Sequence, residues 1–94
     1  MEAIEIKPNQ IPKLKFSRRD VLSTQGSRTN RFLKIKALSI KTQLDKIPIT
    51  IHFKSKKRGA FVTKTNAIMA DSKYVILQGG EKIPANSIYQ LKPL

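Results

Sequence analysis

The sequence predicts an α+β fold in which one amphipathic helix is followed by five short strands, with an extended basic arm in front. Three observations carry that reading. Apolar residues recur at helical spacing from Asn30 to Ile47, and after Pro48 the apolar period drops to two. Gly or turn-forming clusters then break the remaining chain into short segments.

Residues 1–29 alternate short apolar groups (Ile4, Ile6, Ile11, Leu14, Phe16) with Lys, Arg and two prolines, Pro8 and Pro12. Proline lacks the N–H donor and drives its predecessor into extended geometry, so this segment reads as an arm rather than a helix. Leu14 to Phe16 can form one strand. Ser17 can cap a short helical turn through Leu22, with Gly26 just beyond its end. The arm (1–29) and a single domain of helix and strands (30–94) are the expected units.

Leu33, Ala37, Ile40, Leu44 and Ile47 follow one another at spacings of four, three, four and three, which places them on one helix face. Thr29 or Asn30 can cap the start, and Pro48 forbids continuation. Arg31, Lys34, Lys36, Lys41 and Lys46 fall on the other faces, so the helix is basic and amphipathic, with its apolar side expected against the strands. Phe32 to Ala37 also alternates as a strand would, but five positions in helical register outweigh three alternations.

Ile49, Ile51 and Phe53 then share one strand face, with Thr50, His52 and Lys54 on the other. Lys56-Lys57-Arg58-Gly59 forms a hairpin turn, Gly59 supplying positive φ. The second strand runs from Ala60 to Thr65 and continues, bent at Asn66, to Met69. Asp71-Ser72-Lys73 is the next turn, Tyr74 to Gln78 the third strand, and Gly79-Gly80 a tight reversal. Lys82-Ile83 is a very short fourth strand, Pro84 to Ser87 one helical turn, and Ile88 to Leu91 the fifth strand.

Composition narrows the class of protein. Nineteen Lys and Arg oppose six Asp and Glu over 94 residues, for a net charge of +13. Sixteen of the basic residues lie between Lys7 and Lys64, where only Asp20 and Asp45 oppose them. Such an imbalance attracts polyanions and works against compactness by self-repulsion. Cysteine and Trp are absent, and six aromatics leave Ile, Leu and Val to build the core. Apolar packing rather than disulfides or thiolate metal sites must hold the fold. No apolar run approaches the roughly 20 residues a membrane span needs, and the Met-Glu-Ala-Ile-Glu-Ile start is unlike a secretory signal, so a cytoplasmic protein is expected.

Tyr74-Val75-Ile76-Leu77-Gln78 through Ile83-Pro84-Ala85-Asn86-Ser87-Ile88 resembles the second motif of Sm-like proteins: an apolar strand, a turn, a short strand and a returning Ile. One helix followed by five strands, the last two joined by a single turn, is likewise the element order of SH3/Sm-like small barrels. The resemblance implies a five-stranded antiparallel barrel over residues 30–94. In the bacterial Sm-like RNA chaperones, the short fourth strand ends with basic and His residues that touch RNA. Pro84 and Ala85 stand there in this chain, so no binding residue is carried over. Of the first motif's Gly-Asp character only Gly59 remains, which leaves ring assembly unsupported.

The candidate site is a basic surface. Lys54, Lys56, Lys57, Arg58 and Lys64 gather about the first hairpin, and Lys34 and Lys41 on the helix add charge of the same sign. Phosphates neutralised by such cations release counterions, which gives salt-dependent affinity. RNA or a single strand is the expected partner, since the helix lacks Asn, Gln and Arg at base-reading spacing. The other reading is a protein-interaction module taking an acidic partner or peptide at a barrel edge. Binding to an anionic membrane ranks last, because the apolar helix face is needed to cover the barrel.

Phe61, Tyr74 and Tyr89 can face outward as stacking platforms, but core or sheet-edge packing is the favoured role for them. Phe53 should be inside, and Phe16 and Phe32 should pin arm and helix to the barrel. No enzyme is expected. His52 is the lone histidine and has no carboxylate nearby in sequence, only Glu2 and Glu5 among the acids are neighbours, Gly79-Gly80 lacks the ending of a phosphate loop, and Ser17 and Ser23 have no base beside them. Neither a metal nor a cofactor is called for.

Overall fold

A computed structural model describes residues 3–71 and 73–94. Met1, Glu2 and Ser72 lie outside it, and with them the Glu2 half of the Glu2/Glu5 pair and the middle of the Asp71-Ser72-Lys73 turn. The fold is α+β with one α-helix and two short sheets. The strands are β1 (Ile4–Glu5), β2 (Ile49–Ser55), β3 (Gly59–Thr65), β4 (Ile68–Ala70), β5 (Tyr74–Leu77), β6 (Lys82–Pro84) and β7 (Ile88–Pro93). The helix, α1, spans Gln25–Asp45.

One sheet has the order β1-β3-β2-β7 and the other β4-β5-β6. In the first, β2 pairs antiparallel with β3 and β7, placing Ile51 opposite Thr63 and Leu91, and β1 lies parallel against β3. The alternation read from sequence holds here: Ile49, Ile51 and Phe53 are fully buried, facing Ile68, Val75, Leu77 and Ile83 of the second sheet. Gly59 (φ 87°) and Gly80 (φ 91°) take the left-handed conformations their turns require. One turn of 3-10 helix, Ala85–Ser87, separates the last two strands as expected.

The expected closed five-stranded barrel is not what the described residues form. The long second strand is broken at Asn66 and Ala67, where the Thr65 hydroxyl donates to the Ala67 carbonyl. β3 and β4 therefore belong to different sheets. The space between the sheets is closed by the helix and by the N-terminal segment.

That segment is not an extended arm. Pro8–Lys13 forms a 3-10 helix that inserts Ile11, only 1% exposed, into the core, and Ile6, Leu14 and Phe16 pack beside it. Backbone bonds fasten it along its length: the Ile6 N–H donates to Val62 O (2.9 Å), the Lys56 N–H to Lys15 O (2.8 Å) and the Val21 N–H to Asn86 O (2.9 Å). Leu14 to Phe16 is not a strand, and in place of a helical turn the Ser17 hydroxyl accepts from the Arg19 N–H. With so small a core, four apolar side chains bound against it outweigh the entropy of a free tail.

The helix starts before Asn30, so a boundary between residues 29 and 30 falls inside it. Thr24 is its cap, the hydroxyl accepting from the Ser27 N–H at 3.1 Å, and Gly26 sits in the first turn rather than past an end. The helix stops at Lys46 in the left-handed conformation, before Pro48.

The face it buries is also different. Ile35, Leu38 and Thr42 are buried with the largely enclosed Arg31, whereas Leu33, Ala37, Ile40 and Leu44 are exposed on the opposite side. Both sets recur at spacings of four, three and four, so periodicity cannot choose between them. Polar anchoring does. The Thr42 hydroxyl accepts from the Ile68 N–H at 3.1 Å, and Gln43 Nε2 donates to the Ile68 carbonyl at 3.0 Å, so two side chains of α1 satisfy the buried start of β4. Thr42→Val, which keeps shape but removes the acceptor, should destabilise the fold by about 1 to 3 kcal/mol. Thr42→Ser should restore most of that in urea unfolding; a valine variant as stable as the parent would show that Ile68 has another partner.

Candidate functional site

The seven cations expected to form one surface are all exposed, but they do not form one cluster. Lys56, Lys57 and Arg58 occupy the β2–β3 turn, where the Ser55 hydroxyl accepts from the Arg58 N–H at 2.9 Å and holds the turn in shape. Lys57 and Arg58 line a hollow of about 160 Å³ with Lys13 and Lys15 of the N-terminal segment. The hairpin thus gains two cations that sequence spacing did not assign to it. Lys64 does not join them. It lies five residues along β3 from Gly59, about 17 Å at strand rise, opposite Thr50, and its ammonium is 3.7 Å from Glu5.

Lys54 and Lys34 meet around Tyr89 instead. The Lys54 ammonium stands 5.7 Å from the centre of the Tyr89 ring, and Lys34 shares a shallow hollow of about 260 Å³ with the same tyrosine. His52 packs edge-on to Tyr89 at 5.8 Å and is half-buried. Burial first, and the nearby Lys92 second, hold its pKa below the usual histidine value, so it is neutral at pH 7. Lys41 lies two turns along the helix from Lys34, about 10 Å away on the same flank.

A larger site was missed. A cleft of about 780 Å³ runs between the N-terminal segment and the β5–β6 hairpin, lined by Arg18, Lys73, Lys82, Tyr74 and Phe16. Lys82 is 5.6 Å from the centre of the Tyr74 ring. Arg18, Lys73 and Lys82 are exposed and have no ion-pair partner among the described residues. Asp71 stands at the edge. Its carboxylate accepts from the Lys73 and Tyr74 N–H groups, and these bonds, with the nearby charges of Lys82 and Lys73, hold its pKa below the ordinary aspartate value.

Tyr74 also borders a second groove, of about 430 Å³, whose helix side is Phe32, Ile35 and Lys36. Phe32 was expected to pin the helix to the strands, but it is exposed and carries the Lys36 ammonium 5.5 Å from its ring centre. Two accessible aromatics, each with a lysine against its face, therefore line neighbouring grooves that share Tyr74. Part of this was readable. A reversal at Gly79-Gly80 pairs Ile76 with Lys82 and Tyr74 with Pro84, which puts Tyr74 and Lys82 on the same face. The approach of Arg18 has no local signal. It depends on Asn86 Nδ2 donating to the Arg18 carbonyl at 2.8 Å.

Arg31, expected on an open face, is a structural clamp. Its guanidinium grips both carboxylate oxygens of Asp20, one at 2.7 Å, and donates to the Ile88 carbonyl at 3.1 Å. Among the described residues no three His or acidic side chains gather as metal ligands would, and no helix is long and apolar enough to cross a membrane. Compared with models of known protein families, with curated proteins and with solved structures, the chain finds no match in any of the three.

Proposed function

We propose that this protein is a non-catalytic nucleic-acid-binding module that takes RNA or a single strand in the cleft at Tyr74. The observation that carries the reading is the convergence of Arg18, Lys73 and Lys82 around an accessible tyrosine. Cations lining one cleft suit phosphates, and an aromatic ring in the same cleft suits a base. Duplex DNA fits less well, since the open face of α1 presents Leu33, Ala37, Ile40 and Leu44 rather than base-reading side chains. The hairpin hollow at Lys57 and Arg58 and the Tyr89 surface with Lys34 and Lys54 extend the same field, with Lys41, Lys56 and Lys64 as outlying phosphate contacts.

An SH3/Sm-like reading of the fold is part of the proposal. Helix first, β2 to β7 in this order, and a single 3-10 turn before the last strand support it, with β3 and β4 standing for one bent strand. A cytoplasmic setting, where RNA is at hand, goes with this function.

Anisotropy titration with a labelled single-stranded RNA of about ten nucleotides tests the proposal. With four to six phosphates neutralised, log affinity should fall against log salt with a slope of about −3 to −4, and replacing Arg18, Lys73 and Lys82 by Ala should reduce that slope by about 2. Tyr74→Ala should cost about 1 to 3 kcal/mol of binding, roughly 5- to 150-fold. A salt slope near zero, or a Tyr74→Ala variant that binds like the parent, would remove the reading.

A further inference from the structure

The outer face of α1 carries an apolar seam that the fold leaves uncovered. Leu33 (57% exposed), Ala37, Ile40 (62%) and Leu44 (78%) follow the four-three-four spacing of a coiled-coil seam, and Asn30 extends it by one position toward the N-terminus. At 100° per residue the four apolar side chains fall within an arc of about 60°, opposite the face that buries Ile35, Leu38 and Thr42. Their span is about 16 Å, three turns of helix. Core packing does not explain them, because the core takes the other side.

The flanks of the seam decide what can cover it. Lys34 and Lys41 lie along one side and Lys36 and Gln43 along the other; Asp45 lies farther round. None of the three lysines has an ion-pair partner among the described residues. A second copy of this chain is a poor occupant. In a parallel pair Lys36 of one helix would face Lys41 of the other, and in an antiparallel pair Lys34 and Lys41 would face each other, so either orientation sets lysine against lysine with no acid to offset it. A lipid surface is also poorly matched. An interfacial helix buries a broad apolar face, whereas here lysines begin about 70° from the seam's centre.

We infer that α1 docks an amphipathic helix of another protein, one whose apolar seam is flanked by Glu and Asp. Leu33, Ile40 and Leu44 are the knobs of that contact, Ala37 leaves room for a large partner side chain, and Lys34, Lys36 and Lys41 select the acidic flanks and the register. The apolar seam lies on the opposite side of the helix from its contacts with the sheets and takes no part in the Tyr74 cleft, whereas its flanking Lys34 and Lys41 are shared with the basic field around that cleft.

The probe is a labelled synthetic peptide of three heptads with Leu at the seam positions and Glu on both flanks, titrated with the intact protein. Its control is a peptide of the same composition in shuffled order, which keeps the charge and loses the seam. The seam peptide should bind at least tenfold more tightly than the shuffled one. The double substitution Ile40→Ser with Leu44→Ser, at two exposed sites, should lose at least tenfold of that affinity while the thermal midpoint and the RNA titration stay as in the parent. Lys34→Glu with Lys41→Glu should reverse the preference toward a lysine-flanked peptide. Equal binding of the shuffled peptide would overturn the inference by reducing the contact to charge alone. Two further results would overturn it by assigning the seam to another occupant: sedimentation showing a dimer that the double serine variant dissolves, or phosphatidylserine vesicles that bind through the same side chains and are not displaced by the seam peptide.

Discussion

Replacing Arg31 by Met should cost about 3 kcal/mol of folding stability, a drop of roughly 12 to 24 °C in thermal midpoint for a domain of this size. Side-chain exposure is 11% at Arg31 and 16% at Asp20, so the variant strands a carboxylate with little water to solvate it, and the Ile88 carbonyl loses a donor. Arg28, 3.5 Å from Asp20 but 43% exposed, can recover only part of this. The exposed Lys64–Glu5 pair is the internal contrast. Both of its members are more than half exposed, so Glu5→Gln should change stability by less than about 1 kcal/mol.

Acid titration gives an independent view of the same clamp. The hydrogen bonds from Arg31, ahead of all other causes, hold Asp20 below the ordinary aspartate pKa. Its contribution is therefore present above the unfolded value of about 3.9 and disappears as pH falls through the lower folded value. His52, whose folded pKa is also depressed, favours the folded state above about pH 6.5 and loses that contribution on acidification. Stability should thus decline in two stages below neutrality, and Asp20→Asn should shrink the lower stage to the part that Asp71 contributes while leaving the upper. Unfolding followed by circular dichroism from pH 7 to 3 would show this; a single stage unchanged in Asp20→Asn would mean the clamp is solvated.

Phe53→Ala should be comparably damaging, at about 3 to 5 kcal/mol. Phe53 is fully buried, and its ring centre is 6.0 Å from those of both Phe16 and Phe61, so it joins the N-terminal segment to the first sheet. Native domains keep only about 5 to 15 kcal/mol in total, so the variant should be partly unfolded near 37 °C. Phe32→Ala, by contrast, should stay within about 0.5 kcal/mol of the parent, because that ring lies on the open side of the helix. Equal losses at the two positions would place Phe32 in the core and withdraw the exposed seam beside it.

The strands were the legible part of this fold. Alternation at Ile49, Ile51 and Phe53, glycines with positive φ at the turns, and the single helical turn before Ile88 are local signals, and each survives in three dimensions. The helix was legible as a helix but not in its orientation. Leu33-Ala37-Ile40-Leu44 and Arg31-Ile35-Leu38-Thr42 have the same period, and the choice between them rests on Asp20 and Ile68, eleven and twenty-six residues from their partners. The N-terminal segment was misjudged for a related reason: its prolines do exclude an α-helix, but Ile11 and Phe16 find cover only against residues far along the chain. The site followed the same division. Tyr74 and Lys82 share a face by hairpin register, whereas Arg18, Lys13 and Lys15 reach their clefts through long-range contacts.

Those long-range contacts set an order of events during synthesis. Ile6 leaves the ribosome 57 residues ahead of Thr63, whose hydroxyl donates to its carbonyl, and Arg18 leaves 68 residues ahead of Asn86. This segment therefore emerges well before the residues that seat it, with Ile6, Ile11 and Phe16 bare in the interval. Any nascent chain halted before Asn86 would present these side chains, and the lysines between them, as an open binding stretch for a chaperone.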